Sequence, residues 1–144
     1  MNTSDSIHSE ASMDDQAHTQ RMVLQRDKIR VCLIDSRTLY REGVRIILST
    51  VEDIDVTDGI QQDEEISSRL EAISPDVVIL AVKPSIANSL KLARQIRRHS
   101  PRIPVILLGE TEEEELLFKG IKVGAAAYLT DGASLEELVD AIRR

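Results

Sequence analysis

Few side chains in this sequence are suited to covalent chemistry, and they are scattered. The single cysteine, Cys32, falls inside an apolar run of strand length, and His99 follows a helical stretch beside Pro101. A nucleophile needs a base held beside it, and no Ser/His/Asp or Cys/His arrangement surrounds either residue. The sequence therefore favours a protein that is not an enzyme.

The other two histidines are poor candidates for a metal site. His8 and His18 lie among Ser, Thr, Gln and Asp residues in 1–28, and neither has a cysteine or a well-spaced acidic residue to complete a zinc site. A metal ion held by these two histidines is therefore the less favoured interpretation, and we expect no bound metal. A stretch this polar buries too little surface to offset its ordering entropy, so 1–28 is interpreted as a disordered or weakly helical extension.

Two further polar segments bear on binding. After the first apolar run the chain reads Asp-Ser-Arg-Thr-Leu-Tyr from residue 35, without the glycines that cradle a phosphate, so neither FMN nor a dinucleotide nor another cofactor is expected. Glu110 and Glu112–Glu115 form an acidic run. This run is either a docking patch for a basic partner or a set of first-turn carboxylates that stabilise a helix, and both interpretations stay open.

The size and the charge of the chain limit the functions that are open to it. A chain of 144 residues with 42% apolar and 2% aromatic residues is typical of one domain with an aliphatic core. Its net charge of −7 argues against binding of nucleic acid or an anionic membrane by this chain alone. One cysteine permits no internal disulfide, and no apolar run has membrane-spanning length or the form of a signal peptide, so we expect a cytoplasmic protein.

From residue 29 onward, strand-like apolar runs alternate with helical periodicity. Strands are predicted over Ile29–Asp35, Asp53–Gly59, Asp76–Val82, Ile103–Leu108 and Ala125–Leu129. Helices are predicted over Thr38–Val51, Asp63–Ile73, Ser85–His99, Thr111–Val123 and Ser134–Arg143, with capping boxes at Thr111 and Ser134 and with Ile47, Ile86 and Leu135 among the inward residues. This alternation predicts a doubly wound α/β fold with a parallel sheet. Such sheets bind ligands at the carboxyl ends of their strands.

Six segments of this domain carry a family resemblance. They are IRVCLID, LYREGVRIIL, SPDVVIL, IRRHSPRIPVILL, GAAAYL and ASLEELVDAIRR. Together they make residues 28–144 resemble the receiver domain of bacterial response regulators, particularly those that precede a LuxR-type helix-turn-helix domain. The resemblance implies a flavodoxin-like, five-stranded sheet of order 2-1-3-4-5 flanked by five helices, in a domain that spans 29–144.

The resemblance also implies phosphoryl transfer to an aspartate with Mg²⁺, and here the sequence departs from the family. That chemistry needs an acidic pair after the first strand, an acceptor aspartate ending the third, a hydroxyl ending the fourth and a lysine after the fifth. The acids hold the cation, while hydroxyl and ammonium stabilise the phosphoryl oxygens. The matching positions are Asp35 with Ser36, Ala81, Gly109 and Asp131. Only Asp35 is retained, so the sequence predicts a degenerate, phosphorylation-independent pseudo-receiver.

Other residues near these positions have candidate roles. Tyr128 occupies the family's switch aromatic position, and the space beside Gly109 predicts that its ring is held inward. Lys83 is a candidate ion-pair partner for Asp35 or Asp131. Asp35 itself is either a relic cation ligand or, as we prefer, a carboxylate favoured near a helix N-terminus.

Two functions are compatible with this sequence. We expect a regulatory module that controls transcription through dimerisation or partner binding, with DNA contacted only through a C-terminal domain absent from this chain. Leu116, Leu117 and Phe118 span about 200° of a helix and cannot all face the sheet, so they are a candidate interface. The alternative is a small-molecule sensor that uses the vacated phosphorylation pocket, since Ala81 and Gly109 remove side-chain volume there.

Overall fold

One parallel sheet forms the centre of the computed structural model, which describes residues 28–57, 59, 66–82, 86–110 and 114–144, with the backbone alone for 114–116. Its strands are β1 (Ile29–Ile34), β2 (Ile54–Val56), β3 (Val77–Ala81), β4 (Val105–Gly109) and β5 (Ala127–Thr130). The strand order is β2-β1-β3-β4-β5, as the resemblance implied. Every residue of β3 is buried, because this strand lies at the middle of the sheet.

Five helices cover the two faces of this sheet, as predicted. They are α1 (Thr38–Leu48), α2 (Ile66–Ile73), α3 (Ile86–His99), α4 (Glu114–Lys122) and α5 (Leu135–Arg143). Successive strand residues point to opposite faces, so the aliphatic runs fill two core layers. The layer beneath α1 and α5 contains Val31, Leu33, Leu48, Ile54, Val77, Ile79, Ile106, Leu108, Val139 and Ile142. The layer beneath α2, α3 and α4 contains Cys32, Ile34, Ile66, Leu70, Val78, Leu80, Val82, Ala93, Ile96, Val105, Leu107 and Val123.

Among the element boundaries that differ from the prediction, two are explained by local hydrogen bonds. The hydroxyls of Ser49 and Thr50 donate to carbonyl oxygens of the preceding turn at 2.6 and 2.7 Å, and α1 ends at Leu48 instead of continuing to Val51. Side chains that bond their own backbone in this way compete with the helix. β5 begins later than predicted, since the Ala125 N–H still donates to the last turn of α4 at 3.1 Å.

The prediction that three helical residues point inward was wrong. Ile47 is 51% exposed, and Ile86 and Leu135 are also exposed. Ile47 stands about 100° around α1 from the buried Leu48, while Ile86 and Leu135 are the first residues of their helices and lie at the margin of the packed stripe.

The cap of α5 is confirmed. The Glu137 N–H donates to the Ser134 hydroxyl oxygen at 3.1 Å, and the Ser134 hydroxyl lies 3.4 Å from the Glu137 carboxylate. The predicted cap at Thr111 lies outside the described residues, and so does the predicted extension over 1–28, with His8 and His18, apart from Lys28.

Candidate functional site

Asp35 follows β1 at the carboxyl edge of the sheet and is almost completely buried, with 5% of its surface exposed. Its Oδ1 accepts hydrogen bonds from the Arg37 backbone N–H at 2.9 Å and from Arg37 Nε at 3.1 Å, and its Oδ2 accepts from Arg37 Nη2 at 3.0 Å. The hydrogen bond to this carboxylate raises the pKa of Arg37. Both carboxylate oxygens are therefore bound by a cation that belongs to the chain itself.

Arg37 also connects the first strand end to the last. Its guanidinium carbon lies 4.1 Å from the centroid of the Tyr40 ring, and the Tyr40 hydroxyl donates to Asp131 Oδ1 at 2.7 Å. Burial, together with this hydrogen bond to a carboxylate, raises the pKa of Tyr40. Arg41 adds a bond from Nη1 to the Asp35 carbonyl oxygen at 2.6 Å. We call Asp35, Arg37, Tyr40 and Asp131 the edge network.

Between the two ends of the network, the third strand presents a methyl group. Ala81 ends β3, is 2% exposed, and pairs in register with Leu108 of β4. Its carbonyl oxygen accepts a hydrogen bond from the fully buried Ser89 of α3 at 2.9 Å. The side chain at this position has neither a nucleophilic atom nor an oxygen for a cation.

The space beside the Ala81 methyl group is very small. A cavity of about 10 Å³ remains between Asp35, Tyr40, Ala81 and Leu108, and a cavity of this size holds about one water molecule. The described side chains of the edge network and the core thus close around the Ala81 methyl group. Among the described residues they leave no room for a metabolite, which argues against the predicted small-molecule sensor.

Gly109 ends β4, and the Tyr128 side chain fills the space beside it. A β-carbon built on Gly109 would lie 2.8 Å from Val82 Cγ2 and 3.0 Å from Tyr128 Cζ, and nearer still to the Tyr128 hydroxyl. Real β-carbons essentially never come within 3.0 Å of such atoms. The half-buried Tyr128 ring packs against the core layer beneath α2, α3 and α4.

The structure brings the sequence-predicted edge residues together on neighbouring strands. Gly109 pairs with Thr130, and the Asp131 N–H donates to the Gly109 carbonyl oxygen at 2.7 Å. Ser36 is exposed beside Asp35, and Lys83 lies outside the described residues.

The sequence reasoning missed Arg37 and Tyr40, although both lie in the segment from Asp35 to Tyr40 that it examined for glycines. An arginine two residues after a buried aspartate was the available signal.

The remaining candidates lie away from this edge. Leu117 and Phe118 of α4 are exposed, and Lys122 Nζ lies 4.9 Å from the Phe118 ring centroid. The side chain of Leu116 and those of Glu112–Glu115 are outside the part of the chain that is described. Burial raises the pKa of the Cys32 thiol to about 11, so this thiol is protonated at neutral pH.

The described residues contain no group of three or more His, Cys, Asp or Glu side chains placed to hold a metal ion. None of the described helices combines the length and the apolar character needed to traverse a bilayer.

Comparison with known proteins agrees with the fold and with the resemblance. The family model of the response regulator receiver domain matches residues 31–143. The uncharacterized transcriptional regulatory protein YxjL of Bacillus subtilis is 32% identical over 120 residues, which are 83% of this chain and 55% of that protein. Response regulator GacA of Pseudomonas aeruginosa is 33% identical over 116 residues, which are 81% of this chain and 54% of GacA.

A solved structure shows the same fold. The LuxR-family two-component response regulator from Aurantimonas sp. superposes with a TM-score of 0.73 at 22% identity, covering 81% of this chain and 83% of that one. The chain spans about half the length of the curated relatives that it matches.

Proposed function

The chain belongs to the response regulator receiver domain family, and we propose that it is a member that works without phosphorylation, as a regulatory module acting through protein contacts. The observation that carries this proposal is the buried Ala81 at the acceptor position of the third strand. An acyl phosphate needs a carboxylate oxygen as nucleophile, and a methyl group has none.

The edge network supports the same proposal, because it leaves no site for the Mg²⁺ ion that phosphorylation in this family requires. Mg²⁺ requires near-octahedral oxygen ligands and usually takes more than one carboxylate or a phosphate with its waters. Asp35 is the one retained acid, and both of its oxygens are bonded to Arg37 at 3.0 and 3.1 Å. A cation would have to displace a guanidinium fixed on the same loop, so these residues do not fit Mg²⁺.

The charge at the fifth strand end opposes a phosphoryl group. Asp131 stands where the family has lysine, and its carboxylate holds the Tyr40 hydroxyl at 2.7 Å. Two like charges about 4 Å apart near a protein surface repel by roughly 4 kcal/mol. Electrostatics at this edge therefore disfavour the product that phosphorylation would form.

The regulatory output that we propose does not depend on a ligand at this edge. With Arg37 in place of the cation and Tyr128 packed beside Gly109, the carboxyl edge holds one arrangement of side chains. Residues 29–144 form the module, and the exposed Leu117 and Phe118 of α4 serve as a contact surface for another protein. In this role the chain is regulatory rather than catalytic.

The wider setting that we propose comes from the relatives. YxjL is described as a transcriptional regulatory protein and GacA as a response regulator. We propose that this chain likewise acts in a cytoplasmic transcription regulator of LuxR type, in which a separate C-terminal domain would contact DNA.

Intact-mass spectrometry after incubation with acetyl phosphate and Mg²⁺ tests the proposal. The full chain is expected to keep its mass, while a receiver that retains its acceptor aspartate gains one phosphoryl group under the same conditions. A phosphoryl adduct on the unmodified chain, mapped to any residue of the carboxyl edge, would overturn the pseudo-receiver assignment.

A further inference from the structure

A groove opens between α3 and α4, on the face of the sheet opposite to α1 and α5. Its volume is about 620 Å³. Ile86, Ala87 and Leu90 of α3 form its apolar side, and Ile86 and Ala87 are exposed. An apolar strip that faces solvent in this way can receive an apolar side chain from another segment.

Cationic side chains surround the apolar strip. Lys91 and Arg94 of α3 and Lys119 of α4 line the groove, and all three are exposed. Arg98 continues the same side of α3, because it follows Arg94 by four residues. The whole of α3 contains no acidic residue. The groove is therefore an apolar strip within a positive surface.

This surface differs in charge from the rest of the chain. Elsewhere, arginines are held by acids of the same chain, as in Arg37 with Asp35 at 3.0 Å and Arg143 with Asp53 at 2.7 Å. The chain as a whole has a net charge of −7. A cationic groove on such a chain indicates an anionic occupant.

An acidic peptide fits the groove better than a nucleic acid does. Proteins bind single-stranded nucleic acid by stacking its bases on aromatic side chains, and the described residues that line this groove include no aromatic one. The net charge of −7 also repels a long polyanion. A peptide with carboxylates on both sides of an apolar residue matches the cations and the apolar strip together.

The chain itself contains a segment of that composition. Residues 1–20 carry four acidic residues and neither lysine nor arginine. Three of these acids, Glu10, Asp14 and Asp15, lie close to Met13 in the sequence. The segment thus combines an apolar side chain with carboxylates before and after it.

The connection to the domain is long enough for this segment to reach the groove. α3 leads from the carboxyl edge of the sheet back to the amino edge, so its last turn lies at the edge where β1 begins. α3 has 14 residues and is about 21 Å long, whereas residues 16–27 span about 40 Å when extended. A segment tethered in this way meets the groove at an effective concentration on the order of millimolar, so that weak contacts suffice.

We propose that residues 10–15 of this chain dock in the α3–α4 groove, with Met13 on the apolar strip and the three carboxylates around it on the cations of α3 and α4. This docking goes beyond the proposed function, whose contact surface on α4 does not line the groove. Its test involves no phosphorylation, so the two proposals can fail separately.

A spin label on the segment provides the first test. The full-length Ser9→Cys variant accepts a nitroxide selectively, because Cys32 is buried and the raised pKa of its thiol keeps it protonated. Amide signals of α3 and α4 beside the groove are expected to lose NMR intensity relative to the reduced label. Amides of α1 and α5, on the opposite face, should keep theirs.

Charge reversal tests the cations. In the labelled chain, Lys91→Glu together with Arg94→Glu is expected to abolish the loss of intensity on α3, since like charges then repel the segment. Arg45→Glu together with Arg144→Glu is the matched control, because both arginines are exposed on the opposite face and the net charge changes equally. The control should leave the loss of intensity in place.

Substitution within the segment tests the apolar contact. Met13→Ser is expected to weaken the loss of intensity on α3, because the apolar strip then loses its occupant. Met22→Ser is the control, since Met22 belongs to the connection over 16–27 and should leave the signals as they are.

Four results would overturn the proposal. They are α3 amides that the label leaves unchanged, a control charge pair that acts as strongly as the α3 pair, a Met22→Ser effect as large as that of Met13→Ser, and a loss of intensity that appears in an unlabelled isotopic copy mixed with the labelled chain. The first would leave the groove to a foreign acidic partner, and the last would assign it to the segment of a second copy. Circular dichroism shows that each variant is folded, and the spin-label map of the chain without further substitutions stands independently of them.

Discussion

The Tyr128 hydroxyl lies where a side chain on Gly109 would begin. A β-carbon on Gly109 would come within 3.0 Å of Tyr128 Cζ and closer to the hydroxyl oxygen. The two residues lie on the neighbouring strands β4 and β5. The inward position of the Tyr128 ring therefore depends on the absence of a side chain at Gly109. Restoring a side chain at 109 therefore requires that Tyr128 move.

Gly109→Ala is expected to lower the free energy of unfolding by about 1–3 kcal/mol, the usual cost of overpacking a filled site. Gly43→Ala is the control, because a β-carbon there meets nothing within 4 Å and Ala is favoured over Gly inside a helix by about 0.5–1 kcal/mol. Urea unfolding of dilute protein measures both. In a Tyr128→Ala background the cost of Gly109→Ala should shrink, and an unchanged cost would contradict the proposed contact.

Arg37→Ala is expected to destabilise the protein by about 1–2 kcal/mol, because it leaves the buried Asp35 carboxylate with fewer charged hydrogen bonds. The guanidinium is partly exposed, and solvent screening keeps this figure below that of a fully buried pair. Arg45→Ala is the control, since its pair with Glu42 is exposed and 3.8 Å long, and it should cost less than about 0.5 kcal/mol.

A double-mutant cycle isolates the pair. With Asp35→Asn already in place, Arg37→Ala should cost much less than it does in the wild-type chain, because the neutral amide no longer needs a cation. Equal costs in the two backgrounds would mean that Arg37 stabilises the loop by packing on Tyr40 alone.

The fold was predictable from periodicity, whereas the edge network was not. Five apolar runs alternating with helical stripes fix a parallel α/β sheet, since few topologies bury both patterns. The pairing of Arg37 with Asp35 depends on the conformation of the loop after β1, and the pairing of Tyr40 with Asp131 joins residues that are 91 positions apart in sequence. The spacing of Asp35 and Arg37 was a signal for the first pair, but the pattern of residue types along the chain carries no information on the second.

The wrong inward assignments concern residues at the margins of the helical stripes. The inward assignment of Ile47 treated the apolar stripe of α1 as uniform, but Ile47 lies about 100° around the helix from Leu48, and only Leu48 is buried against the sheet. Apolar residues at stripe margins read the same in sequence whether they meet the core or a partner. Leu135 is of this kind, since it is exposed at the first turn of α5.

Cys32 is expected to resist alkylation in the folded protein. Burial raises the pKa of its thiol to about 11, so almost no thiolate is present at pH 8. Iodoacetamide should modify it only after unfolding, as followed by intact mass.

The raised pKa of Cys32 also predicts that the free energy of unfolding falls at alkaline pH. A thiol pKa that is higher in the folded state stabilises the fold below the ordinary value of 9.0, and this stabilisation is lost as the pH rises from there towards 11. Cys32→Ala should remove this part of the alkaline slope in urea unfolding, and a slope that stays the same would assign it to other groups.

The last prediction concerns recovery of the phosphoryl chemistry that we propose this chain lacks. Ala81→Asp alone should not restore phosphorylation, because the new carboxylate would face Asp131 in place of an ammonium and share the edge with an Asp35 already bound to Arg37. Restoration should need at least Asp131→Lys in addition, together with Ser36→Asp for the cation. Gly109→Thr, the remaining family residue, should help only when Tyr128 is also replaced, since its β-carbon would otherwise meet that ring. Intact mass after acetyl phosphate and Mg²⁺ ranks the single, double and multiple variants, with thermal melts to show that each is folded. An efficient adduct on the Ala81→Asp variant by itself would show that Arg37 and Asp131 do not block the site, and that the missing acceptor is the whole defect.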